Sequence, residues 1–478
     1  MQIGKNWTKA LKTAKEFKLQ PLNILEGKIP LDLNGSLCRN GPGRLERGGE
    51  IYGHWFDGDG AVLGVHFRNG KAEGTYQYAK SKEFLEEEKA GKPIYLAIGK
   101  KSKRGLLNDL MNPASKNPNN TSVLLVKNKL LALCEGGWPF AMDPKTLDSI
   151  GPDNLGQLVA REMYSAHPKV DPDTGEIFNH GQIPYPSALC VYKSNKDGKI
   201  VKKNQIKIRG MTIIHDCVLA GKYLVVFNPP TKINFWKMVL GIEAYNDCIQ
   251  YDPQLGTEVY IFDRNDLSLV TKFTTEPFYS FHFVNGYEEK DGNIYVEFAK
   301  FENFTDIWAY VREFPLGNQG VCAKTAMKPR LTSMRIDPKQ GKMIEMKNVG
   351  DEHLAEFPTV ADSLVGKNWR YSLYATSPPQ KKNLEVGETF QTIGRLDRKN
   401  DKPQKFYCGP HCYINEPLLV SSKEDPEEGY ILNLIFDSQK EASELWIHNT
   451  KSFEGEPICK IGLPEIIPFG FHGRYYSA

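Results

Sequence analysis

No stretch of this 478-residue chain approaches the roughly 18 consecutive apolar residues that a membrane-spanning helix needs. Charge of one sign is missing too. The 61 Lys and Arg stand against 58 Asp and Glu, and the net +3 is dispersed, so the chain carries no footprint for nucleic acid. Residues 1–18 are polar and basic with no apolar core, which offers no secretory leader and sets the expectation of a cytoplasmic protein. Nine cysteines, scattered and odd in number, argue against a disulfide framework and for a reducing compartment. Cys408 and Cys412 flank His411, but no second Cys or His pair nearby completes a zinc spacing. A tight turn with two structural thiols accounts for them. Helical periodicity is absent over most of the chain.

What is present is turn chemistry. Gly (42), Pro (30) and aromatics (11%) are plentiful. Short apolar runs repeat around turns built on Asp, at Asp171 (KVDPDTGEIF), Asp252, Asp263, Asp337 (RIDPKQGKMIEM) and, more loosely, Asp397. An Asp at the first turn position bonds its own backbone, and a following Pro presets φ for the second. The flanks alternate and are rich in Val, Ile, Tyr and Phe, as half-buried strands require. The pattern predicts an all-β fold of repeated antiparallel strand pairs, a β-propeller, with a large sandwich as the structural alternative. Nothing reads as a linker, so residues 1–478 form one domain.

Two stretches break the pattern. Residues 100–117 set Leu106, Leu107, Leu110 and Met111 on one helical face behind Lys100, Lys101, Lys103 and Arg104. Residues 231–242 crowd Phe235, Trp236 and Leu240 together with Lys232 and Lys237 alongside. Basic, amphipathic, aromatic stretches of this kind fit a patch lying on a membrane surface; the plainer expectation is two helices packed on the strands.

Of ten histidines, four share a context: His167 (MYSAHPKVD), His215 (MTIIHDCVL), His282 (FYSFHFVNGYEE) and His472 (IPFGFHGRY). Each follows apolar residues and precedes a turn or strand start, and they fall one per repeat region. In a propeller the inner strands all reach the central axis, so distant residues can converge there. Neutral imidazoles suit Fe(II), Zn, Cu or Ni, and ligating imidazoles pass their other N–H to a carboxylate or carbonyl. Glu135 (ALCEGGW), Glu356 (LAEFPTV) and Glu416 (INEPLL) lie among apolar residues and need a partner, either such an imidazole or a nearby Lys or Arg.

The motifs LNGSLCRNGPGRLE from Leu33, HWFDGDGAVLGVHF from His54, EEEKAGKPIY from Glu86, LLALCEGGWPFAMDP, SAHPKVDP, IIHDC, FHFVNGYEE, EFP, NEPLLV and FGFHG run in order from about residue 20 to the end. In this set the chain resembles the carotenoid cleavage oxygenase family, and closely its cyanobacterial apocarotenoid oxygenase branch. The resemblance implies a seven-bladed β-propeller with a loop-and-helix cap over an axial metal site. It implies one Fe(II) per chain held by His167, His215, His282 and His472, with Glu135, Glu356 and Glu416 each orienting one of the last three. It places Thr121 beside an open coordination position. The implied activity is O2-dependent cleavage of a polyene double bond of a carotenoid or apocarotenoid, giving two carbonyl products of retinal type. Cleavage of full-length carotenoids at another bond, non-oxidative isomerisation–hydrolysis of retinyl esters, and non-catalytic carotenoid binding are the rival readings. The implied location is peripheral to a membrane surface, with the substrate drawn from the bilayer. Three positions depart from the family. Phe283 follows His282 where relatives often carry a second His, and Cys134 and Ile213 stand where aromatics are common. With Trp138 and Phe281, these are the expected substrate-tunnel residues.

Overall fold

The computed structural model describes residues 6–104, 115–234, 236–237, 243–316, 328–384 and 388–478. Seven antiparallel sheets of four or more strands succeed one another along the chain as the blades of a propeller. Blades 2 to 6 each run from an inner strand outward: Ser122–Val126, Lys169–Val170, Cys217–Ala220, Phe283–Glu288 and Glu356–Thr359 are the inner strands. The closure is double. Blade 1 takes its inner strand, Gly473–Ser477, from the C-terminal end, paired with Gly35–Arg44. Blade 7, with Leu418–Ser421 inside, takes its outer strand, Asn23–Gly27, from the N-terminal end, paired with Cys459–Gly462. Each end of the chain thus completes a sheet begun by the other, which removes exposed edges.

The Asp turns are hairpins within blades. Asp337 accepts from the N–H groups of Lys339 and Gln340 (both 2.9 Å), and Asp263 accepts from Asn265 N–H at 2.7 Å. Asp252 is different: it caps a short 3-10 turn, Pro253–Leu255, rather than a hairpin. The inward residues of neighbouring blades fuse into apolar seams. One joins Val218, Val225 and Ile261 of blade 4 to Val296, Phe298 and Met334 of blade 5. Burial of this kind contributes about 25 cal/mol per Å2 of apolar surface removed from water, so each seam is a major source of stability.

Blade 5 sends out an excursion between Ile294–Lys300 and Arg330–Asp337. It carries the helix Phe304–Glu313, whose N-cap Asn303 accepts from Thr305 N–H at 2.8 Å. Phe304, Ile307, Trp308 and Val311 recur at helical spacing and are buried. With the turn Trp55–Asp57 this helix covers one end of the propeller axis; His54 and Phe56 meet the Trp308 ring at 4.8 and 6.4 Å. Asp57 fastens the turn by accepting from the N–H groups of Ile98 and Gly99.

Among the described residues no helix is long and apolar enough to cross a membrane. Leu106, Leu107, Leu110, Phe235 and Leu240 lie outside the described residues. Trp236 is 59% exposed, and its ring lies 5.9 Å from that of Tyr185, equally exposed. Lys232 and Lys237 are engaged by Asp252 and Glu243.

Candidate metal centre

Each blade delivers one side chain to the axis. His167, His215, His282 and His472 sit within two residues of the start of the inner strands of blades 3, 4, 5 and 1. Blades 2, 6 and 7 supply Glu135, Glu356 and Glu416. The four imidazoles are buried or nearly so, and one ring nitrogen of each lies within 4.8 Å of the others. The Nε2 atoms of His167 and His215 face each other at 2.9 Å.

The carboxylates stand behind three of the rings. Glu135 Oε1 is 2.7 Å from His215 Nδ1. His472 Nδ1 donates to Glu416 Oε1 at 2.7 Å, and His282 Nδ1 donates to Glu356 Oε2. A carboxylate accepts only, so Glu416 and Glu356 fix the proton on Nδ1 of His472 and His282 and leave their Nε2 lone pairs toward the axis. The Glu135–His215 contact is close but outside hydrogen-bond geometry. The backbone holds the carboxylates in turn: Gly473 N–H donates to Glu416 Oε2 (2.8 Å) and Phe357 N–H to Glu356 Oε2 (2.6 Å). Ser165 couples two ligand strands. Its hydroxyl donates to the carbonyl of His215 and accepts the N–H of His167.

Among the described residues no glutamate stands behind His167. Its nearest carboxylate is Asp216 Oδ1 at 4.0 Å, beyond hydrogen-bond reach, and Asp216 is paired with Lys169 at 2.8 Å. Asp216 also accepts the N–H groups of Cys217 and Phe283, tying the first strand of blade 4 to that of blade 5.

The rings differ in charge preference. Burial, then the three neighbouring imidazoles, hold His167 well below the ordinary histidine range, so it stays neutral. Burial also opposes a charge on His282, but Glu356 outweighs it and raises its proton affinity. Burial prevails at His472, which is lowered despite Glu416. Glu416 is itself lowered: burial would raise it, but His472 and Arg39 outweigh that. His282 Nε2 is buried with no hydrogen-bond partner, a lone pair that asks for a cation. Four imidazoles without a charged ligand, three of them backed by carboxylates, fit a divalent first-row metal.

The centre divides two cavities. On the cap side lies an apolar chamber walled by Trp55, Phe56, Phe281, Phe357, Phe390 and Phe471, with Ile307, Tyr310 and Val311 of the cap helix above. Thr121, Glu135 and Glu356 reach it at the metal end; the Tyr310 hydroxyl is committed to the Glu388 carbonyl. On the other side an axial channel runs between the inner strands of all seven blades. His282 and His472 border both cavities, His215 the chamber and His167 the channel.

Of the expected tunnel residues, Phe281 lines the chamber. Phe283 faces the other way: its ring stacks on Phe227 at 4.7 Å in the seam of blades 4 and 5 and borders the axial channel. Ile213 packs between the cluster under the cap helix and Ile233 and Cys248, and Trp138 packs on the seam of blades 2 and 3. Cys134 sits next to Glu135 with its thiol toward the Thr121 hydroxyl; burial first, then Glu135, push its pKa up to about 11.

The chamber's other walls escaped the sequence reading, yet a signal was there. Phe281 precedes His282, Phe357 follows Glu356 and Phe471 precedes His472, so an aromatic adjoins three of the seven axial residues. Phe357 holds φ at +51°, a left-handed conformation that a bulky side chain rarely adopts. Its ring stacks on His282 at 5.1 Å.

A family model described as retinal pigment epithelial membrane protein matches residues 10–477. The chain belongs to this carotenoid oxygenase family. It is an oxygenase. The chain is 28% identical over 468 residues to the apocarotenoid-15,15'-oxygenase of Synechocystis, covering 94% of this chain and 92% of that one. It is 27% identical to a carotenoid 9,10(9',10')-cleavage dioxygenase of Crocus sativus, covering 95% and 85%. The cobalt-substituted Synechocystis apocarotenoid oxygenase superposes with a TM-score of 0.88 at 25% identity, covering 99% of both chains.

Proposed function

We propose that this oxygenase uses one Fe(II), held by His167, His215, His282 and His472, to cleave a double bond of an apocarotenoid with O2 into two carbonyl products. The observation that carries the reading is the position of the four-imidazole centre: it forms the floor of a chamber walled by aromatic rings. When bound, the metal supplies the activation of dioxygen. The chain supplies the rest. Glu135, Glu356 and Glu416 keep the imidazoles oriented. Phe281, Phe357, Phe390 and Phe471 exclude water and hold a rigid hydrocarbon in line, and its register against the floor selects the bond. Thr121 stands at the metal end, where it limits what can approach. The apocarotenoid class is supported by the Synechocystis relative; the Crocus relative acts at a different bond of a carotenoid, so the register belongs to each chamber.

The test is His282→Ala together with labelled oxygen. The parent should contain about one iron per chain and place label from 18O2 in its aldehydes, and the variant should have neither iron nor turnover. An active iron-free variant, or unlabelled products, would contradict the proposal. The exposed Tyr185–Trp236 pair supports peripheral docking on a membrane, the source of such a substrate. Changing both rings to Ser should lower vesicle binding and spare turnover of detergent-dispersed substrate; unchanged vesicle binding would remove this pair from the docking surface.

A further inference from the structure

Among the described residues the chamber offers a hydrated cation a poor path to the imidazoles, because its wall is aromatic up to the metal end. Phenyl rings cannot replace the waters of a divalent ion, and the chamber's oxygen ligands, Thr121, Glu135 and Glu356, stand only at its metal end. The axial channel is built differently. Its lining runs from Asp362, which is exposed, past half-buried Lys169 and Arg474 to the buried carboxylates Asp216 and Glu416, and ends on His167, His282 and His472. The wall thus alternates carboxylates with cations, Lys169 pairing Asp216 at 2.8 Å and Arg39 standing 3.8 Å behind Glu416, and it offers oxygen ligands along its length. Asp216, so paired, is the carboxylate that stands 4.0 Å from His167.

We infer that the axial channel is the route by which the metal ion reaches its four histidines, with Asp362 gathering cations at the mouth and Asp216 receiving them next to His167. Oxygen ligands along the wall replace waters stepwise, which lowers the barrier that the chamber cannot lower. The two cavities then divide the labour: the ion enters through one and the hydrocarbon through the other. This rests on the metal centre proposed above.

The test is the rate of Co2+ uptake by chelator-stripped protein, followed by rapid desalting and elemental analysis. Asp362 is exposed and Val365, also at the mouth, is half-buried, so both tolerate change. Asp362→Lys should slow uptake about tenfold at low ionic strength and by less in high salt. Asp362→Asn should slow it less than Lys does, and Val365→Trp should slow it at any salt. All should still reach the parent's final cobalt content. Val311→Phe, which fills the chamber instead, should load at the parent rate. Parent-like rates in both Asp362→Lys and Val365→Trp, or equal slowing in Val311→Phe, would overturn the inference. A parent that never reaches one cobalt per chain would instead overturn the metal centre itself.

Discussion

The two cavities that meet at the centre are made from the same seven inner strands and have opposite chemistry. The channel is walled chiefly by the strands themselves, which expose Lys169 and Arg474 among Val218 and Leu418, with Asp216 just before one strand and Asp362 just beyond another. The chamber is walled by residues at or just before the starts of those strands, such as Phe281, Phe357 and Phe471, and by the cap helix. A propeller therefore provides the polar bore by default, whereas the apolar half has to be assembled from connections. On the proposed reading substrate choice resides in these connections, the kind of segment in which proteins carry function on a fixed scaffold.

The sharpest way to break this comparison is at the shared wall. Glu356→Gln keeps shape but weakens the hold on His282, which borders both cavities. Metal affinity should fall about 10- to 100-fold by competition titration. Unchanged affinity would mean that the carboxylate does not orient the ligand.

A change on the chamber side alone should separate metal from substrate. Phe390→Ala should cost about 3 kcal/mol of stability and raise KM or scramble the cleaved bond, with iron content unchanged. Loss of iron in this variant would join what the two cavities keep apart.

The smallest effect is one of pH. His282 is raised by Glu356, so in metal-free protein this pair stabilises the fold below about pH 6.5, the unfolded value. That contribution is lost as pH rises through the folded pKa. Metal competes with the same proton, so the metal-induced rise in Tm should grow with pH while the metal-free Tm loses this term. Calorimetry on both forms from pH 5 to 8 should show the opposed trends; parallel curves would sever His282 from the metal.

Much of this was legible in the chain. The Asp turns gave strand pairs because an Asx turn is a local event, fixed within a few residues. Convergence of His167, His215, His282 and His472 is not local. It rests on blade closure, and only the motif set tied those positions together. The cap helix was legible and passed over: Asn303 followed by Phe304, Ile307, Trp308 and Val311 is a capped amphipathic pattern. The direction of Phe283 was not legible. One step along a strand reverses the face, and His282 lies just outside the strand where the alternation begins.

The central claim is that four imidazole nitrogens, and no carboxylate, hold the metal. X-ray absorption on anaerobically loaded protein tests it most directly. The account predicts one iron per chain with about four histidine nitrogens in its coordination sphere. Sulfur ligation, a protein carboxylate replacing an imidazole, or substoichiometric iron would contradict it.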